Sequence, residues 1–310
     1  MKFLKELLIS LLILLIGGFA LEQMAEYYYD YTYPPVGRLI EVNGHNIHIV
    51  AEGSGNKTII FVADWRTPNA YVDFYPLHKD LINHAKIVTY DRPGYGWSDS
   101  TDKARDVDTL AQELHQLLTS AEVKPPYIFV AHSLGSLETL RFAQLYKDEV
   151  AAIVFLDGLE PEGYQSPSLY DSTYNYIEDN VIYLANKLFI TRLLFSTVYD
   201  YSATPLSTKR PNFNLIPADL QKIDEISFLK NYNNKNQAYE GNMHSLNSYK
   251  IRENDYLGNI PIVAITTKNQ HAFAKWSNNS KQILVEDNKK ALHWQKHYLI
   301  KHEILTLLKK

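Results

Sequence analysis

The chain has 310 residues, 45% of them hydrophobic, which suits one large domain with an insertion or two smaller domains. A net charge of −4 with scattered basic residues leaves no electrostatic footprint for nucleic acid. The absence of cysteine excludes a disulfide scaffold, a thiol nucleophile, a cysteine zinc site and an acylated lipoprotein cysteine, without fixing the redox compartment.

Lys2 and Lys5 precede an apolar run from Leu7 to Leu21, broken only by Ser10 and Gly17-Gly18. A basic start before such a run predicts a signal peptide or a short signal anchor over residues 1–21. Cleavage after Ala20 and retention as an anchor both remain open. Positive-inside orientation places the remainder outside the cytoplasm, membrane-anchored or secreted. Residues 22–35 are polar and rich in tyrosine, and read as a spacer lying at the membrane surface or on the domain.

From residue 36 onward the pattern is that of an α/β protein. Leu39 to Val42 and Ile47 to Val50 flank Asn43-Gly44, whose positive φ values suit a two-residue hairpin turn. Lys57 to Ala63 is an unbroken β-branched and apolar run, as in a strand covered on both faces. A strand at Ile87 to Tyr90 follows, then a helix with Leu110, Leu114, Leu117 and Leu118 on one side. Tyr127 to Ala131 reads as a strand, Gly135 to Tyr146 as a helix and Ala152 to Leu156 as the next strand. Regular alternation stops near Glu160 and resumes at Ile260 to Thr266 and Gln282 to Glu286, before a last amphipathic helix. The expected architecture is a mostly parallel sheet with helices on both faces. Its core comprises residues 36–159 and 259–310, and a helical cap at 160–258 covers the edge where open α/β sheets bind ligands.

The informative motif is Ala131-His132-Ser133-Leu134-Gly135, lying between a strand and a helix. A nucleophile elbow needs this arrangement: a strained turn lifts the serine Oγ clear of the sheet, and small neighbours let strand and helix approach. The N–H of Leu134, at the helix start, is a candidate oxyanion donor.

Several segments resemble the α/β-hydrolase superfamily, in particular a bacterial branch with an N-terminal membrane segment. They are Tyr33-Pro34-Pro35-Val36-Gly37-Arg38, the hairpin around Asn43-Gly44, Asp91-Arg92-Pro93-Gly94-Tyr95-Gly96-Trp97-Ser98, the elbow itself, Phe155-Leu156-Asp157 and Leu257-Gly258-Asn259-Ile260-Pro261. Members mostly hydrolyse esters, amides, epoxides or carbon–carbon bonds. The resemblance implies a Ser-His-Asp triad acting on a small ester or related acyl substrate, with Ser133 as nucleophile and no need of a cofactor or metal. Alignment makes the Trp65 N–H the second oxyanion donor. There the family has His-Gly or Ser-Gly, but this chain has Ala63-Asp64-Trp65, which sets a negative charge beside an oxyanion site, with Arg66 next to it. The family's histidine position falls on Lys290 without a gap, and a loop shift of three residues makes His293 the base instead. The usual acid site, Thr266-Thr267-Lys268-Asn269, carries no carboxylate, so Asp157 at the end of the following-elbow strand is the expected acid, with Glu160 in reserve. His293 and His297 have the spacing of a metal pair but no third ligand in the zincin pattern. The alternative class is a catalytically impaired protein of this fold that binds a ligand or partner through its cap.

Overall fold

The computed structural model describes residues 2–161, 177, 180–252, 256–268, 273–286 and 291–309. Lys290, the alternative base, lies outside the described residues.

Among the described residues eight strands form one sheet in the order β1-β2-β4-β3-β5-β6-β7-β8. They are β1 (Arg38–Val42), β2 (His45–Glu52), β3 (Thr58–Val62), β4 (Lys86–Asp91), β5 (Tyr127–His132), β6 (Val150–Leu156), β7 (Ile262–Thr266) and β8 (Ser280–Leu284). Only the pairs β1·β2 and β2·β4 are antiparallel, and β4 through β8 run parallel. Asn43 and Gly44 close the first hairpin with φ values of 54° and 87°, the left-handed pair that a tight turn between twisted strands demands.

Burial explains the strand sequences. β3 is buried at every position, and β5 and β6 are nearly so, because helices cover both faces. On one face α4 (Val107–Ser120) and α5 (Gly135–Leu145) pack Leu114, Leu117, Leu140 and Phe142 against Phe129 and Phe155. On the other, Phe74, between α2 (Ala70–Asp73) and α3 (Tyr75–Leu81), closes with α3 and the last helix, His297–Leu308, over Phe61, Ile128 and Val154. The Asp106 carboxylate caps α4 by accepting from the N–H groups of Asp108 and Thr109.

Between β6 and β7 the described chain is helical, including residues 180–187, Ile190–Thr197, Ala218–Asn231 and Lys235–Arg252. This layer carries its own cluster around Phe213, Leu220, Phe228 and Leu229, joined to the main body by Val72 and Trp294.

The apolar N-terminal run is one helix with the expected spacer: α1 extends from Lys2 to Thr32. Glu22, Gln23, Met24, Ala25 and Glu26 are good helix formers and continue the segment without a break. The polar end is held by contacts, since Glu22 is buried against Arg192 and Glu26 meets Lys187 at 3.0 Å. α1 is the one helix among the described residues long and apolar enough to cross a membrane.

Candidate active site

The turn after β5 has the strain that an elbow requires. Ser133 has a φ of 47°, unusual for a residue other than glycine, and α5 begins two residues later. The surrounding hydrogen bonds fix it: Ser133 N donates to Leu156 O at 3.0 Å, and Ser136 Oγ donates to Ser133 O at 2.7 Å. Gly135 is there because a Cβ would stand 2.7 Å from Ala63 O and 2.8 Å from Val62 O, so only glycine lets the helix start press on the end of β3.

The two N–H groups singled out in the sequence converge on one oxygen. Asp64 Oδ1 accepts from Leu134 N at 3.0 Å and from Trp65 N at 2.8 Å. An anionic oxygen of the protein itself therefore occupies the position where these donors would meet a developing oxyanion. The loop bearing Asp64 is pinned from behind. Arg92 donates through Nη2 to Asp64 O at 3.0 Å and through Nη1 to Glu138 Oε2 at 3.2 Å, and it pairs with Glu240 at 3.2 Å. Burial works against the Arg92 charge, but Glu240, Tyr95 and Glu138 outweigh it and hold the guanidinium protonated. Trp65 is fixed on the cap side, where Nε1 donates to Gln237 O at 2.8 Å and Arg66 stacks over the indole at 4.0 Å.

His293 is carried by the short helix Leu292–Gln295 and is only 2% exposed. The loop leading to it is tied to the cap, with Ala291 N donating to Lys209 O at 2.8 Å. Its ring lies 4.6 Å from that of His132, the residue before Ser133, and 4.9 Å from Phe74. The carboxylate it meets is Asp73, at 3.0 Å from Nε2. That approach is off the hydrogen-bond direction, so among the described residues neither nitrogen of His293 has a hydrogen bond. No hydrogen bond therefore joins His293 to Ser133 in this state.

Asp157 was expected to meet His293; both border the same cleft, but no hydrogen bond joins them. Asp157 Oδ1 accepts from Thr267 N at 2.6 Å and Thr267 Oγ1 at 2.9 Å, because β6 ends beside the exit of β7. Asp73 was not among the sequence candidates. It ends α2, whose start is held by Asn69 Oδ1 accepting from Val72 N and by Asp91 Oδ1 accepting from Ala70 N at 2.8 Å. Burial raises the Asp73 pKa, yet His293 and Arg210 more than offset this and hold the carboxyl well below the usual carboxylate range. His132 is pushed below its ordinary value by burial first and then by His293.

A cleft of about 530 Å³ opens over this group. Asp64, Trp65, Asp73, His132, Asp157 and His293 border it, with Leu206, Lys209 and Arg210 contributed by the cap side. Ser133 is half-buried and does not border the cleft, although its neighbour His132 does. Asp73, His132 and His293 place their ligand atoms within 4.8 Å of one another, the geometry of a two-histidine, one-carboxylate metal set. Arg210, 3.9 Å from Asp73, already supplies positive charge there and weighs against a divalent ion.

Residues 19–294 match the family model described as the alpha/beta hydrolase fold. The chain belongs to the α/β-hydrolase-fold family. In sequence it is similar to the uncharacterized protein YbdG of Bacillus subtilis, 29% identical over 53% of this chain and 50% of that protein. The uncharacterized protein YqjL of Bacillus subtilis is 38% identical over 34% of the chain and 41% of its own length. These matches thus span half or less of the curated relatives. Among solved structures it resembles Cfl2 from Burkholderia cenocepacia, with a TM-score of 0.68 and 17% identity over 87% of this chain and 95% of that one. The enol-lactonase from Burkholderia xenovorans LB400 gives 0.62 and 15% over 88% and 100%. The epoxide hydrolase CorEH gives 0.66 and 17% over 88% and 98%. At these identities the likeness is one of fold.

Proposed function

We propose that this protein is a serine hydrolase for a small ester or related acyl compound, held at rest by its own Asp64. The observation that carries the reading is the convergence of two backbone N–H groups, one from the elbow and one from the loop after β3, on a single anionic oxygen next to Ser133. Donors aimed at one point at the start of a helix are what acyl transfer uses to stabilise a tetrahedral oxyanion. In this mechanism the Asp64 carboxylate turns out of the site and the substrate carbonyl oxygen takes its place. Ser133 Oγ attacks the carbonyl carbon while His293 accepts the hydroxyl proton. Asp73 keeps the imidazole oriented and stabilises its charged form, in the role first expected of Asp157. His293 then protonates the leaving group, and water attacks the acyl-enzyme by the same route in reverse.

The protein would work at a membrane, anchored by α1 with the domain outside the cytoplasm. Lys2 and Lys5 set the orientation, and the buried Glu22–Arg192 pair favours a retained helix over cleavage after Ala20, which would leave the pair at a frayed terminus.

The test is labelling of the full chain by a fluorophosphonate probe, with hydrolysis of short-chain aryl esters alongside. Labelling lost in Ser133→Ala supports the proposal. The second reading, a catalytically impaired ligand-binding protein, is favoured by the same Asp64 contact. It takes over if neither the wild type nor a variant lacking the Asp64 carboxylate ever labels.

A further inference from the structure

We propose that the cap lies in the membrane interface, with residues 180–199 resting their aliphatic side chains in the lipid surface from which α1 emerges. The inference rests on α1 being a membrane anchor.

The first ground is the surface itself. Val181 and Leu184 stand one turn apart on the helix of residues 180–187 and are 62% and 58% exposed. On the next helix Leu193, Leu194 and Val198 are 52%, 41% and 68% exposed. Two successive helices thus turn an apolar stripe outward, which a protein surrounded by water rarely does.

The second ground is charge. Between residues 180 and 199 the only charged side chains are Lys187 and Arg192, and α1 neutralises both. Arg192 donates to Glu22 at 3.1 and 2.7 Å, with side chains 6% and 2% exposed, and Lys187 meets Glu26 at 3.0 Å. A segment that keeps no unpaired charge suits an apolar medium, where such a charge would be expensive.

The third ground is depth. Gly18 packs so closely on the turn between the two helices that a Cβ there would stand 2.5 Å from Leu188 O. Gly18 lies three residues before the apolar run ends at Leu21, about 5 Å along a helix axis. The Leu188 turn is therefore level with the zone where hydrocarbon gives way to headgroups, the depth at which interfacial helices lie. The cap also borders the cleft through Leu206 and Arg210, so this position sets the cleft beside the lipid surface, open to amphiphilic acyl compounds.

Because the chain has no cysteine, single cysteines report without background. Full-length Leu184→Cys and Leu193→Cys, labelled with a nitrobenzoxadiazole dye, are reconstituted in phosphatidylcholine–phosphatidylglycerol vesicles with and without a nitroxide on the acyl chain. Leu11→Cys in α1 and Tyr298→Cys on the last helix, which is 75% exposed, serve as lipid and water references. The proposal expects dyes at 184 and 193 to lose most of their emission to the nitroxide, as at 11, with little loss at 298. Quenching at 11 with 184 and 193 behaving like 298 overturns the proposal and leaves the anchor standing. No quenching at 11 overturns both.

Discussion

Replacing Asp64 by alanine should accelerate acylation of Ser133. Asp64 Oδ1 accepts two backbone N–H bonds, at 3.0 and 2.8 Å, and both must break before a substrate oxygen can enter. Hydrogen bonds to a charged group contribute about 1.5–3 kcal/mol each, and the lower end applies beside an open cleft where water replaces part of the loss. Opening then costs about 3 kcal/mol for the pair, which leaves roughly one molecule in a hundred competent at 1.4 kcal/mol per tenfold. Asp64→Ala removes the occupant but keeps the backbone carbonyl that Arg92 holds at 3.0 Å, so the loop stays anchored. The second-order rate constant for fluorophosphonate labelling should rise about 100-fold. Asp64→Asn, which retains an oxygen without the full charge, should fall between the two. The double variant with Ser133→Ala should not label. An Asp64→Ala protein that melts like wild type but labels no faster would refute the gate.

The acid is identified by comparison. Asp73→Asn should lower turnover by about 10³–10⁴, as expected when a catalytic imidazole loses the carboxylate that orients it. Asp157→Asn, whose carboxylate is committed to Thr267, should stay within about tenfold of wild type; the reverse ranking in steady-state kinetics would return the role to Asp157. Burial, with the charges of Arg92 and Arg66, lowers the His244 pKa from 6.5 to about 4. The unfolded chain therefore takes up a proton below about 6.5 that the folded one refuses until about 4, and stability must fall as pH drops through that window. His244→Gln should remove about 3 kcal/mol of that loss in urea unfolding at pH 4 relative to pH 7, and an unchanged slope would show that His244 does not titrate this way. Cell fractionation should find the full-length chain in membranes with its domain open to external protease, whereas a protease-protected cytosolic form would defeat the localisation.

What the sequence disclosed follows from how local each feature is. The elbow was legible because strand, serine, glycine and helix lie within a few residues, and its glycine answers to the end of β3. Even the charge problem at Asp64 was visible, since it sits one residue before the Trp65 N–H. That the carboxylate would turn back to accept both donors was not, because this depends on where Leu134, 70 residues away, comes to rest. Asp73 escaped for the same reason. It sits at the end of a four-residue helix, and its importance arises only from His293, which the last loop brings to within 3.0 Å.

The cap resisted reading for a different physical reason. In the helix Lys235–Arg252 the buried residues include Asn236, Gln237, Glu240, His244, Asn247 and Ser248, so polarity runs opposite to the usual pattern. These side chains serve the irregular loops beneath them. Asn236 accepts from Thr101 N and donates to Thr101 O, Gln237 donates to Gly94 O beside Asn234 just ahead of the helix, and Asn247 accepts from Val107 N. Loops that cross the sheet edge leave backbone groups buried without strand partners, and such groups must find hydrogen bonds elsewhere. A helix recruited to satisfy them turns its amides inward, and the hydrophobic period by which a helix is recognised disappears. The same exchange fixes the Gly94 loop and, through Arg92 and Glu240, the Asp64 turn, so the segment least readable in sequence is the one that holds the Asp64 loop in place.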